Sequence, residues 1–216
     1  MGSKALLEEF AKENAMKIAI IDYGAGNLPS VERALRKLGA DTERAVEPQQ
    51  VAAAKVIVLP GVGHFGAFVE GLRERNLTDS LRAAYDSGVP ILGICLGLQA
   101  MFASSEEAPG ERGLGFFPDE VRALPTNVKS PHIGWNQVRR VQESALLRGI
   151  PPDAYFYFAH SYAAPASAAP TVAACDHGVS FAAVIERKNL RAVQFHPEKS
   201  GETGARVLQN FVESVQ

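Results

Sequence analysis

The chain is poor in the residues that mark several classes of protein. Only two of its 216 residues are cysteine, Cys95 and Cys175. That is too few for a disulfide framework and fits a reducing, cytoplasmic setting. No apolar run reaches the roughly 20 residues that span a bilayer. Residues 1–15 lack the unbroken apolar stretch of a signal peptide, and Leu6 stands where myristoylation wants Ser or Thr. Neither sign of charge dominates: 22 basic against 24 acidic residues leave −2, which argues against nucleic-acid binding through bulk charge. His64, His132, His160 and His177 show no metal-ligand spacing with the cysteines, so no metal is expected. Gly24-Ala25-Gly26-Asn27 lacks the third glycine of a dinucleotide fingerprint, because position 29 is Pro.

What is present reads as an α/β domain over residues 16–216, with residues 1–15 as an N-terminal extension or cloning remnant in which Leu6, Leu7, Phe10 and Ala11 could form a short amphipathic helix. Met16–Asp22, Lys55–Leu59 and Pro90–Ile94 are apolar, β-branched runs of the kind buried on both faces of a parallel sheet. Val31, Ala34, Leu35 and Leu38 recur at helical spacing, with Ser30 read as the N-cap and Gly39 at the C′ position. Helical spacing returns through Phe68, Leu72, Leu81, Ala84 and Tyr85 to Gly88, then from Leu96 to about Ala103. Alternating strands and helices imply right-handed crossovers and a mostly parallel central sheet flanked by helices. Between Gly113 and Arg187, short strand-like segments such as Ala154–Phe158 and turns at Asp176-His177-Gly178 and Lys188-Asn189 indicate an antiparallel addition. Leu190–Phe195 reads as a last core strand and Gly204–Val215 as a closing helix.

Three motifs carry chemistry. Gly93-Ile94-Cys95-Leu96-Gly97 ends a strand and opens a helix, the form of a nucleophile elbow, where the helix N-terminus favours a thiolate. A lone thiol is as often a small core residue, and Cys175, which has no such context, is read that way. His196 and Glu198 are separated by Pro197, which favours an extended His196. In an extended segment, i and i+2 share a face, so Glu198 can orient the imidazole toward the thiol. Pro60-Gly61-Val62-Gly63 ends another strand and can aim backbone N–H groups at an oxyanion, with the Leu96 N–H as second donor. Its two glycines also permit a peptide flip that puts the Val62 carbonyl, rather than its N–H, into the site at rest.

Through Gly93–Gln99 and Gln194-Phe195-His196-Pro197-Glu198, the chain resembles the class I (triad) glutamine amidotransferases. Ile21–Asn27, Pro60–Gly66, Pro131-His132-Ile133-Gly134-Trp135-Asn136, His160-Ser161-Tyr162 and Glu198–Gly201 narrow the resemblance to the glutaminase subunits of imidazole glycerol phosphate synthases, from Met16 to the C-terminus. The resemblance implies Cys95 as nucleophile, His196 as acid/base and Glu198 as orienting carboxylate. It implies Val62 and Leu96 as oxyanion donors, and Gln99, Glu107, Ser161 and Tyr162 about the glutamine. Asn27, Trp135 and Lys199 would lie near a (βα)₈-barrel cyclase subunit that takes ammonia through a tunnel. It implies no cofactor and no metal. A glutaminase serving another synthase, or a non-catalytic regulatory subunit, are the alternatives.

Overall fold

The computed structural model describes residues 17–168 and 171–215. The expectations for residues 1–15 and for Met16 lie outside the described residues. Along the first half of the chain, strands and helices alternate in the order β1 (Lys17–Ile21), α1 (Leu28–Lys37), β2 (Asp41–Ala45), α2 (Pro48–Ala53), β3 (Ile57–Gly61), α3 (Phe65–Glu74), α4 (Leu77–Asp86), β4 (Ile91–Cys95) and α5 (Leu96–Gln99). The second half is strand-rich: β5 (Phe102–Ser105), β6 (Phe117–Ala123), β7 (His132–Gln137), β8 (Arg139–Arg140), β9 (Tyr155–His160), β10 (Tyr162–Ala163), β11 (Thr171–Asp176), β12 (Ser180–Arg187) and β13 (Leu190–Val193). Helix α6 (Gly201–Glu213) closes it.

The main sheet has eight strands in the order β2-β1-β3-β4-β13-β12-β11-β8. The first five are mutually parallel, and β12, β11 and β8 extend the sheet antiparallel. The expected parallel core with an antiparallel addition is the architecture found. Alternation along β1 divides the core: Ile18 and Ile20 pack with α1 and α6, and Ala19 and Ile21 with α2, α3 and α4. Each fully buried isoleucine contributes about 1.5–3 kcal/mol. Helices therefore cover both faces, and the C-terminal ends of the parallel strands are left to build a site.

Several local expectations need correction. Helix α1 starts at Leu28, after Asn27, not after Ser30. Pro29 lies in its first turn, where a fixed φ and a missing N–H are harmless. The Ser30 hydroxyl instead donates to Asn27 Oδ1 at 2.9 Å. Gly39, at φ +82°, ends the helix as expected. Helix α5 stops at Gln99 rather than continuing to about Ala103. From Ala100 onward the backbone carbonyls bond to another segment instead: Leu114 N–H donates to Ala100 O, Phe117 N–H to Met101 O and Gly113 N–H to Ala103 O. The chain is thereby drawn into β5, which pairs with β6.

The closest backbone approach lies beneath the Cys95 turn. A Cβ built on Gly97 would stand 1.8 Å from the Leu59 carbonyl oxygen. A Gly97→Ala substitution must push α5 off β3, and we expect it to destabilise the protein by about 3 kcal/mol or more. Urea unfolding checks this; an unchanged midpoint would show that α5 is not held by this contact.

Candidate active site

Register between β3 and β4 places Gly61 opposite Cys95, so the loop beginning at Val62 starts beside the thiol. Cys95 has φ 53° and ψ −108°, a left-handed conformation rare for a residue with a side chain. Such strain costs on the order of 1–3 kcal/mol and persists only when the surroundings impose it. Here the glycine at 97 lets the chain double back onto β3 immediately after the cysteine. The elbow expected from Gly93-x-Cys95-x-Gly97 is thus present. Because α5 is only four residues long, it offers the thiol the unpaired N–H groups of a first turn, Leu96 among them, rather than a long macrodipole.

His196 meets the carboxylate as expected: Nδ1 lies 2.9 Å from Glu198 Oε1, with the two side chains 3% and 1% exposed. The route differs from the one read in the sequence. His196 is extended, but Glu198 sits in a 3₁₀ turn, Pro197–Lys199, closed by Lys199 N–H to His196 O. Pro197 starts that turn with its fixed φ, and the turn still returns the carboxylate to the ring. Ser200, to which the sequence reading gives no role, holds this corner: its hydroxyl accepts from Tyr157 N–H at 2.9 Å and donates to His196 O at 2.7 Å. Burial alone would lower the His196 pKa, but the adjoining Cys95 sulfur and then Glu198 more than offset it and raise it to about 10. With Nδ1 committed to Glu198, Nε2 is the nitrogen left for sulfur chemistry.

Val62, Leu96, Gln99, Glu107, Ser161 and Tyr162 line one cavity of about 70 Å³ with Cys95 and His160. Glu107 is also tied to the start of α3, where its Oε2 accepts the Phe65 N–H at 2.7 Å. Gln99 is buried, and its Nε2 donates to Tyr162 O at 2.7 Å and to Gln194 Oε1 at 3.1 Å. The Val62 peptide differs from the expectation that its carbonyl points into the site. Its N–H donates to the Tyr23 hydroxyl at 3.1 Å, and the same hydroxyl donates to its carbonyl at 3.0 Å. Tyr23 is 4% exposed and packs on the Phe68 ring, so its hydroxyl is well fixed. Tyr23, like Gln194 and Ser200, escapes sequence reasoning because its task depends on a long-range hydrogen bond that no local pattern records.

Trp135 and Lys199 both pack on Tyr157, at 6.0 Å ring to ring and 5.7 Å from Nζ to the ring centre. Trp135 is 54% exposed, and Ile133 on the same strand is 61% exposed. Asn27 precedes α1, whose Ser30 lines a groove with Pro197 and Glu198. Lys199 thus belongs to the His196–Glu198 turn, Trp135 meets it through Tyr157, and Asn27 is linked to the groove only through Ser30.

A histidine chain runs beside the cavity. His160 Nδ1–H donates to Tyr162 O at 3.0 Å, which leaves Nε2 to accept from His132 Nδ1–H at 3.1 Å; His132 Nε2 then accepts from Asn136 Nδ2 at 3.3 Å. Burial, then the charge of His177, lowers the His132 pKa to about 4. Burial, only partly offset by the Tyr162 carbonyl, lowers that of His160 to about 3. In the unfolded chain both protonate near 6.5, so their contribution to stability is present above pH 6.5 and is lost as pH falls toward 4 and 3. His196 acts oppositely but less over this range: its raised pKa keeps its contribution intact below 6.5, and that contribution is lost progressively as pH rises from 6.5 to about 10. We expect the protein to lose about 3 kcal/mol of stability between pH 7 and pH 5, and His160→Gln to remove about half of that slope. Urea midpoints at the two pH values measure it; a flat profile would contradict the neutral histidine chain.

The glutamine amidotransferase class-I family matches residues 19–215. The chain is 51% identical over 202 residues to imidazole glycerol phosphate synthase subunit HisH of Methanothermobacter thermautotrophicus, covering 92% of this chain and 99% of that protein. It is 48% identical over 200 residues to the subunit of the same name from Moorella thermoacetica, covering 92% and 95%. Among solved structures, PurLQS from Thermotoga maritima superposes with a TM-score of 0.73 at 16% identity, over 94% of this chain and 100% of that one, a likeness of fold. A family matched over residues 19–215, around a cysteine elbow with its histidine and carboxylate, places this chain in the class-I glutamine amidotransferase family.

Proposed function

We propose that this chain is the glutaminase subunit of an imidazole glycerol phosphate synthase and supplies ammonia to a cyclase subunit in histidine biosynthesis. The observation that carries the reading is a Cys95 elbow that faces the cavity on one side and adjoins the buried His196–Glu198 pair on the other. Near-full-length similarity to subunits of that name supports the choice of synthase.

In this reading Cys95 thiolate attacks the side-chain amide carbon of glutamine, and the carbonyl oxygen takes the displaced electron pair. Backbone N–H groups of Leu96 and Val62 stabilise that oxyanion. His196 gives its proton to the amide nitrogen, the C–N bond breaks, and ammonia leaves a γ-glutamyl thioester. His196, now neutral, takes a proton from water as the water oxygen attacks the thioester. The C–S bond breaks and glutamate leaves. Glu198 holds the imidazole in the tautomer both steps need. Gln99, Glu107, Ser161 and Tyr162 would position the substrate.

Ammonia released into water near neutral pH is largely protonated and no longer nucleophilic, so a docked acceptor is needed. The exposed Trp135, with Lys199 and Asn27, suits the face toward a (βα)₈-barrel cyclase partner. The Tyr23 hydroxyl holds the Val62 N–H, so the second oxyanion donor becomes available only when this loop reorients. Withholding one donor slows such chemistry by roughly 10²–10³, enough to make hydrolysis wait for the partner.

Glutamate release should be slow for the isolated chain and rise when the cyclase subunit and its nucleotide ligand are added; no rise would remove the assignment to this synthase. Cys95→Ala should abolish turnover while leaving the fold intact, and retained turnover would remove the nucleophile. Tyr23→Phe, which frees the Val62 peptide, should raise unstimulated turnover about tenfold, within the range one oxyanion donor controls. An unchanged basal rate would show that the hydroxyl is not the restraint.

A further inference from the structure

Two buried amides form a chain whose direction is set at one end and which terminates on the nucleophile. The Tyr162 carbonyl can only accept a hydrogen bond, so Gln99 must present its NH₂ there, at 2.7 Å. The same Nε2 lies 3.1 Å from the Gln194 side chain, which must answer with Oε1. Gln194 then has no choice but to turn its own NH₂ to Cys95 Sγ, at 3.6 Å. Reversing either amide would set two NH₂ groups, or two carbonyls, against each other.

The placement follows from the sheet. Val193, the last residue of β13, is registered with Ile94, so Gln194, just beyond the strand end, reaches the level of Cys95. Gln194 is fully buried, and its backbone N–H is tied to Ala183 O. A side-chain amide with no exposure is costly wherever its polar atoms lack partners, and an apolar residue would fill the same space. The partner that Nε2 has found is the reacting sulfur. Donation to an anionic acceptor is roughly twice as strong as donation to a neutral one, so this contact favours the thiolate over both the thiol and the thioester.

We propose that Gln194 is a further catalytic residue: its side-chain N–H stabilises the Cys95 thiolate before attack and again when the C–S bond of the thioester breaks and its electron pair returns to sulfur. Gln99 is a positioning residue that determines which end of the Gln194 amide faces the sulfur. The proposal rests on the reading of Cys95 as the nucleophile of a glutaminase.

The test is the pH dependence of Cys95 alkylation by iodoacetamide in the complex with the cyclase subunit. Gln194→Met keeps the length of the side chain and removes the donor. The rising limb of the alkylation profile should move to alkaline pH, so that Cys95 reacts about tenfold more slowly there, the scale of one hydrogen bond to a charged group. The alkaline plateau should match the wild type. Superimposable profiles, or a rate reduced equally at every pH as altered packing would give, overturn the proposal. If Gln194→Met does not fold, Gln99→Met is read in the same way: releasing the Gln194 amide should slow the rising limb about threefold, and no change overturns the proposal. Wild-type glutamate release in the same complex is assayed separately. Its absence refutes the glutaminase reading, whereas a normal rate with unmoved alkylation profiles refutes only the role of Gln194.

Discussion

The contact between Gly97 and the Leu59 carbonyl is the constraint on which the candidate catalytic centre depends. Any side chain at 97 would occupy the carbonyl's space, so glycine alone lets α5 cross so tightly over β3. That crossing forces the reversal at Cys95 and its left-handed backbone. The strain is local and is borne by the parallel sheet beneath, whose β3, β4 and β13 are buried and registered side by side. A thiol on an unstrained strand would point into a neighbouring layer, as Cys175 does on β11, where burial pushes its pKa to about 12.

Around this reversal, polar groups are arranged in directed chains rather than as isolated pairs. The Tyr162 carbonyl accepts from both Gln99 and His160, so one backbone oxygen sets the sense of the amide chain and of the histidine chain. Ser200 does the same for the histidine corner, joining β9 to the backbone of His196. Each chain begins on backbone that cannot change its donor or acceptor character. In a buried setting, where an unmatched group costs about 1–3 kcal/mol, such anchoring fixes tautomers and amide orientations without further contacts.

Much of this was legible in the sequence, for identifiable reasons. Strands β1, β3 and β4 are buried on both faces and so read as apolar runs. Strand β2 and helix α2 went unread: β2 is an edge strand with only Thr42 and Ala45 buried, and α2 contributes only Val51 to the core. Beyond α5 the chain pairs with residues 113–117 instead, a partnership that no periodicity discloses. The proposed triad is legible because its members lie in two short motifs, one closing β4 and one just beyond β13. Tyr23, Gln194 and Ser200 were not, because each acts on a group 39, 99 or 43 residues away. Folding brings these distant groups together, and local patterns describe only neighbours.

The central claim is that backbone geometry and buried neighbours, rather than the mere presence of a thiol, make Cys95 the reactive group. The most direct measurement is peptide mapping by mass spectrometry after treating the cyclase complex with a glutamine-like chloroketone. A single adduct on Cys95, with Cys175 unmodified and glutamate release lost in proportion, is the predicted result. Labelling of Cys175 at a comparable rate, or loss of activity with Cys95 unmodified, would contradict it.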